Sequence, residues 1–331
     1  MANLMITTHC NFTCPYCFGR DMIGPGHQKT HMSWETFNTL LDWIQRSGMD
    51  QLSVHLMGGE PTLNPRFFDM LAELERRGRD VLIFSNAATK IDAERLKGAI
   101  RKGVIWVVNC NHPSQYKGRQ LEFLKANLAI LGGNACVTFN VTGGQFDYGY
   151  VFEYIRSYGL DKRIKVGVAL PTLQRNNVFA QWNEFSAIAE RIMEFHEAVI
   201  AMGGAIDFEC GVPYCLFTAE QHRKLGKVRV SHCNSRLDIT PWGDVINCLP
   251  LSRVTSVPYH RFSDYGRARD WFEKLLLPYR QVGSTADCLT CESHLDQHCR
   301  ACHAYGIAEF NRLPVPPLPE CGDQVACHPS P

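Results

Sequence analysis

The chain has 331 residues, is 45% hydrophobic and carries 34 Lys and Arg against 33 Asp and Glu. That apolar content suits one large domain plus a small one, and the balanced charge argues against a nucleic-acid partner. No basic segment leads into a long apolar run at the N-terminus and no stretch reaches bilayer-spanning length, so a cytoplasmic protein without membrane contact is expected.

Leu4 to Thr8 reads as a strand that delivers Cys10 at its C-terminal end. Ser33 suits a helix N-cap, with Trp34, Phe37, Leu41 and Ile44 following at helical spacing. Leu52 to Met57 is a strand ending at the Gly58-Gly59 turn, and Phe67, Met70, Leu71 and Leu74 mark a helix stopped by Gly78. Val81 to Phe84, Val104 to Val108, Cys136 to Val141 and Ile164 to Leu170 are near-continuous apolar runs, as expected of parallel strands covered on both faces. Helical stretches separate them near residues 92–102, 119–131 and 148–158, and a longer one covers 180–202. Six β/α units in sequence predict an α/β fold, a partial, open (β/α)6 TIM-like barrel. After residue 204 periodicity fades while Cys, Gly, Pro and His rise. We therefore expect a barrel over 1–204 and a small cysteine-rich C-terminal domain over 205–331, including a linker at 205–230. Leu313 to Pro319 reads as an extended surface segment.

The 15 cysteines form an odd count without a secretory signal, which opposes a disulfide framework and favours metal ligation in a reducing compartment. Cys10, Cys14 and Cys17 are spaced by three residues and then two. Three thiolates leave one position of a metal centre open, and on a cubane iron–sulfur cluster that position is an iron able to bind a small molecule. Buried structural thiols or a zinc site are the bland alternatives.

With Tyr16 before the last cysteine and Gly58-Gly-Glu-Pro61 downstream, the pattern resembles the radical S-adenosylmethionine (SAM) enzymes. The resemblance implies a [4Fe-4S] cluster on Cys10, Cys14 and Cys17 whose open iron chelates SAM, and a 5′-deoxyadenosyl radical that abstracts a hydrogen atom from substrate. It assigns Gly58, Gly59 and Glu60 to the methionyl amino group and Ser85 and Asn86 to the ribose and carboxylate. Asn109 and Asn140 are further candidates, with Tyr16 near the adenine and Leu170 offering it backbone hydrogen bonds. A flavodoxin- or ferredoxin-type electron donor is implied as partner.

Ten of the 15 cysteines follow residue 209. Cys233, nine residues, Gly243, four residues and Cys248 resemble the opening of a SPASM domain, which holds auxiliary iron–sulfur clusters in peptide- and sulfatase-modifying radical SAM enzymes. The second half departs from that pattern, with gaps of two, seven and two between Cys288, Cys291, Cys299 and Cys302, then eighteen before Cys321. Positional matching implies an outer cluster on Cys288, Cys291, Cys299 and Cys321, with Cys327 as substitute for the last. It implies an inner cluster on Cys233, Cys248 and Cys302, with Cys215 or Cys210 as fourth ligand or an open iron. Paired Cys-x-x-Cys units near His294, His298 and His303 also suit zinc. Cys110 and Cys136 should pack as small hydrophobes.

Sulfatase-maturing relatives place an acid just after the residue matching Cys248, where this chain has Leu249-Pro250. Asp238 and Asp244 read as solvated hairpin acids. His112 is a candidate substrate contact, with an ordinary loop histidine as the alternative. The leading function is oxidative modification of a ribosomally made peptide, by a thioether or carbon–carbon crosslink or a related C–H oxidation. Oxidation or epimerisation of a sugar or aminocyclitol is the alternative, and a non-catalytic zinc-binding protein the remote one. Only nine residues precede Cys10, which favours a small molecule or a peptide recognised without a fused leader-binding domain.

Overall fold

The computed structural model describes residues 1–24, 26–49, 52–231, 233, 236–300, 302 and 306. Seven parallel strands lie side by side in chain order: β1 (Ala2–Thr7), β2 (Val54–Gly58), β3 (Val81–Ser85), β4 (Val104–Asn109), β5 (Ala135–Val141), β6 (Asp161–Val168) and β7 (Ala205–Phe208). The helices between them are α1 (Trp34–Gln45), α2 (Phe67–Arg76), α3 (Ala93–Gly98), α4 (Gln120–Leu131), α5 (Gly149–Tyr158) and α6 (Phe185–Ala201). Every predicted strand and helix up to residue 202 is present. The arrangement is a partial (β/α) barrel.

The sheet continues past residue 204. β7 pairs with β6, and on the far side β8 (Asp238–Ile239) pairs parallel to β1, followed by the antiparallel β9 (Asp244–Ile246) and β10 (Val257–Pro258). Further helices are α7 (Ala219–Leu225), α8 (Tyr265–Val282) and α9 (Glu292–Leu295). Leu313–Pro319 lies outside the described residues. Among those described, no helix is long and apolar enough to cross a membrane.

Local chemistry explains why the elements start where they do. The Ser33 hydroxyl accepts from the Thr36 N–H at 3.0 Å, an N-cap worth about 1 kcal/mol. From there α1 buries Phe37, Leu40, Leu41, Trp43 and Ile44. The Trp43 indole N–H donates to the Phe262 carbonyl at 2.9 Å, tying α1 to the segment that leads into α8.

Register separates the two faces of the sheet. Leu4, Leu56, Ile83, Trp106 and Ala135 lie in one row, all fully buried in the main apolar core. The alternate positions on the other face are mixed: Met5, Met57, Leu82, Phe84 and Val107 are apolar, whereas Asn3, His55, Asn109, Thr138, Lys165 and Asp207 are polar. The row that packs under the helices is wholly apolar, and the second face carries polar side chains among apolar ones.

His55 is buried on that second face, its ring centroid 5.5 Å from that of Phe84. Burial, with Arg236 and the N-terminal amine adding to it, pushes its pKa down to about 3. The unfolded chain takes up a proton near pH 6.5 that the folded chain refuses, so stability falls as pH drops from about 6.5 toward 3, at up to about 1.4 kcal/mol per unit. His55→Gln should remove this component. Urea midpoints measured at about pH 7 and pH 5 should fall more for the wild type than for the variant; equal falls would show that His55 is not protected from protonation.

Candidate functional site

The chain leaves β1 at Thr7 and immediately enters the cysteine loop, at the C-terminal edge of the parallel sheet where β/α folds gather ligands. The Thr8 N–H donates to the Thr30 carbonyl at 2.9 Å and its hydroxyl to the Gln28 carbonyl at 2.8 Å, fixing the loop's entry. The Cys17 N–H donates to the Cys14 carbonyl at 3.1 Å, closing a tight turn. Cys10, Cys14 and Cys17 are free and partly buried. Burial, reinforced by the nearby thiols, pushes Cys10 up to about 12 and Cys17 up to about 11, and raises Cys14 as well. Without a cation these thiols hold their protons; a bound metal would displace them.

The glycine turn after β2 seats this loop. The Gly59 N–H donates to the Thr7 carbonyl at 2.9 Å and the Glu60 N–H to the His9 carbonyl at 2.8 Å. A Cβ on Gly58 would strike the Thr7 carbonyl oxygen. One on Gly59 would strike the His9 carbonyl oxygen and come within 2.9 Å of Cys10 Cβ. Only glycine lets the two backbones approach this closely.

Glu60 is fully buried, and its carboxylate is already engaged. Oε1 accepts from the Thr62 N–H (3.1 Å), the Thr62 hydroxyl (2.6 Å) and the Ser85 hydroxyl (2.8 Å); Oε2 accepts from the Asn86 N–H (2.7 Å). Burial raises its pKa and these donors oppose that rise. Glu60, Ser85 and Asn86 thus come together, as an anchor joining the ends of β2 and β3. The Asn86 amide N–H donates to Asn11 Oδ1 at 2.8 Å, and Asn11 in turn donates to the Ala88 carbonyl at 3.0 Å, so the cysteine motif is gripped from β3 as well.

A second polar chain joins Tyr16 to β4 and β5. The Tyr16 hydroxyl donates to Asn111 Oδ1 and accepts from the Asn109 amide at 3.0 Å; Asn140 donates to Asn109 Oδ1 at 3.2 Å. The Asn111 amide lies 3.7 Å from Cys14 Sγ. Tyr16, Asn109 and Asn140 are therefore neighbours, as expected, while Asn111 was missed although it stands in the same loop. The Leu170 carbonyl accepts from the Asn177 amide at 2.8 Å, and that amide also reaches the Tyr16 carbonyl at 3.2 Å. With the Val178 N–H on the Pro15 carbonyl (2.9 Å), residues 170–178 are strapped over the cysteine motif. A cavity of about 540 Å³ opens beside this strap, lined in part by Thr142, Gln145, Asn177 and Glu184. His112 is a turn cap: its Nδ1 accepts from the Ser114 N–H at 3.3 Å, and its Nε2 is 3.5 Å from Asp147.

Two acids were misjudged or overlooked. Asp238 is 3% exposed, not a solvated hairpin acid. The pairing of β8 with β1 turns it inward, where Oδ1 accepts from the Asn3 amide at 2.6 Å and Oδ2 from the Leu249 N–H at 2.9 Å. Burial pushes its pKa up to about 7. Glu209, just past β7, is also held up by burial, close to Lys165. Asp244 accepts from the Ser256 hydroxyl at 2.8 Å.

Cys110 and Cys136 are buried in the sheet, as small hydrophobes. The later cysteines sort into two neighbourhoods. Burial holds Cys248 far up, with Asp238, Cys233 and the exposed Cys210 nearby. Cys215, also exposed, has Cys299, Cys288 and Cys291 nearby. Cys302 is buried; Cys321, Cys327 and His303 lie outside the described residues. Among the described residues no three His, Cys, Asp or Glu side chains come together as ligands of a single metal ion do.

Residues 4–113 match the radical SAM superfamily profile. The fold superposes on that of Streptococcus suis SuiB bound to S-adenosylmethionine with a TM-score of 0.68 at 15% identity, covering 92% of this chain and 72% of that one. This chain has the radical SAM fold. The structure of anSMEcpe with bound AdoMet gives a TM-score of 0.66 at 14% identity, covering 93% of this chain and 91% of that one. In sequence, the chain is 22% identical over 323 residues to the PqqA peptide cyclase of Streptomyces rochei, covering 91% of this chain and 84% of that one. It is 33% identical over 103 residues to the tungsten-containing aldehyde ferredoxin oxidoreductase cofactor-modifying protein of Pyrococcus furiosus, a match spanning 30% of this chain and 27% of that protein.

The glycine contact yields a test. Gly59→Ala should push the loop off β2, costing about 1–3 kcal/mol and lowering the iron retained after anaerobic reconstitution. Gly98→Ala, where a Cβ meets nothing within 4 Å, is the control and should leave iron content unchanged. Equal iron in both variants would show that the turn does not seat the loop.

Proposed function

We propose that this chain is a radical SAM oxidoreductase that modifies a ribosomally made peptide, forming a thioether or carbon–carbon crosslink or a related oxidation product. The observation that carries the peptide reading is the sequence match to a peptide cyclase along nearly the whole of both chains. The fold shared with SuiB, also solved bound to its precursor peptide, supports it.

The donor set suits the cofactors. Three buried thiols on one short loop, held protonated for want of a cation, are a fitting receptor for an iron–sulfur cluster. Cluster and SAM bound there supply a carbon radical able to take a hydrogen atom from an unactivated C–H bond. The chain's own residues hold that site in place. Glu60, Ser85 and Asn86 fix the floor, and the Gly58-Gly59 backbone is assigned to the methionyl end. Tyr16, Asn109 and Asn140 are assigned to the adenosine side, with Asn111 orienting Tyr16 and standing against Cys14. The strap at 170–178 is pinned to the loop through Asn177 and Val178.

In the same reading, the region after β7 is an auxiliary-cluster domain carrying two further [4Fe-4S] clusters. Such clusters, held by the cysteines after Glu209, would supply a place for the electron left on the substrate, and a flavodoxin- or ferredoxin-type protein would be the external electron donor.

An anaerobic preparation should hold about twelve irons per chain if all three clusters are cubanes. With SAM and a reductant it should release 5′-deoxyadenosine, and Cys14→Ala should abolish that release. Supplied with a cognate precursor peptide, it should yield a product lighter by two hydrogens per turnover. A zinc-loaded, iron-free protein, or undiminished release from Cys14→Ala, would overturn the reading; consumption of a sugar or aminocyclitol instead would overturn its peptide part.

A further inference from the structure

Spacing alone leaves Cys215 as a spare for the inner cluster and gives the outer one its last ligand from Cys321. The folded chain groups these residues differently. Cys288 and Cys291 sit on consecutive turns, with the Cys291 N–H donating to the Cys288 carbonyl at 3.3 Å and the Ser284 N–H reaching Cys288 Sγ at 3.4 Å. The Cys299 N–H donates to the Ser293 carbonyl at 2.8 Å, which folds Cys299 back toward that pair. The Cys299 sulfur accepts from the Tyr214 N–H at 3.4 Å, and Tyr214 immediately precedes Cys215. The Ser231 hydroxyl also reaches Cys299 Sγ at 3.6 Å, so the two groups adjoin at Cys299, and what sorts Cys215 with the outer one is its place next to Tyr214 and the nearness of Cys299, Cys288 and Cys291.

The other upstream cysteine goes the other way. The Cys302 N–H donates to the Gly211 carbonyl at 3.0 Å, directly after Cys210. The Cys233 N–H donates to the Arg300 carbonyl at 2.7 Å, which draws Cys233 alongside the same segment. Cys248 completes the neighbourhood, with Cys233 and Cys210 acting on its sulfur. Neither group converges on a point as ligands of one ion do, and a cubane instead takes each thiolate on a different iron.

We propose that Cys215, Cys288, Cys291 and Cys299 ligate the outer auxiliary cluster, that Cys210, Cys233, Cys248 and Cys302 ligate the inner one, and that Cys321 is dispensable. This rests on the auxiliary-cluster reading above and departs from it in the ligand sets. Its consequence is that the inner cluster has no open iron. The four thiolates would then leave no iron of that cluster free to ligate the substrate.

The test uses the full chain, reconstituted anaerobically, in four forms: wild type, Cys210→Ala, Cys215→Ala and Cys321→Ala. Iron and sulfide are counted, and electron paramagnetic resonance spectra of the reduced proteins are recorded with and without SAM. Cys321→Ala should keep the wild-type iron count and spectrum. Cys215→Ala and Cys210→Ala should each lose or alter one auxiliary signal while the SAM-sensitive signal of the first cluster persists, which also reports an intact barrel. Loss of about four irons from Cys321→Ala overturns the proposal, as do unchanged auxiliary signals in Cys215→Ala or Cys210→Ala. Should Cys215→Ala fail to fold, Cys321→Ala decides the outer set. A wild-type protein with only about four irons refutes the auxiliary-cluster reading itself, a different outcome from exchanged ligands.

Discussion

The buried Glu60 carboxylate is the constraint on which the site depends. A charge removed from water is tolerable only if donors replace the solvent, and here two hydroxyls and two backbone N–H groups do so from β3 and from the turn after β2. Those donors exist only when both strand ends are in register, so the carboxylate reports and enforces that register. The adjoining Gly59 then carries the constraint into the cysteine loop by direct backbone contact with His9 and Cys10. The geometry of the three thiols is inherited from the sheet.

A second consequence is a division of labour among polar residues that look equivalent in sequence. Asn11, Asn86, Asn109, Asn111 and Asn177 each spend amide hydrogen bonds on tying the cysteine motif to its surroundings, and Asn140 braces Asn109 from behind. The amide supplies both donor and acceptor without a charge, which suits a place where a metal cluster is to set the electrostatics.

Much of this was legible from residues 3 to 202, because a parallel β/α chain writes its strands and helices as separate periodic segments. The three-cysteine loop was legible for another reason: its chemistry lies in consecutive residues. What escaped were features made by pairing across long sequence distances. β8 is two residues long and has no periodicity of its own, so the inward turn of Asp238 became visible only through its partner Asn3 on β1. The neighbours of Cys210 and Cys215 likewise depend on how residues 299–302 fold back against 211–214, which no spacing rule encodes.

The parallel pairing of β8 with β1 also bears on how the chain tolerates division. β1 leads into the first three cysteines; residues 30–32 cover the C-terminal half of its outer edge, and β8 covers the N-terminal half at Asn3 and Leu4, while the Tyr265 hydroxyl donates to the Met1 carbonyl at 2.7 Å. Cutting the chain after the barrel would bare a row of unpaired N–H and C=O groups on the strand that feeds the cysteine loop. Such an edge invites pairing with other chains, so the barrel alone would be prone to aggregate however well its own core is packed.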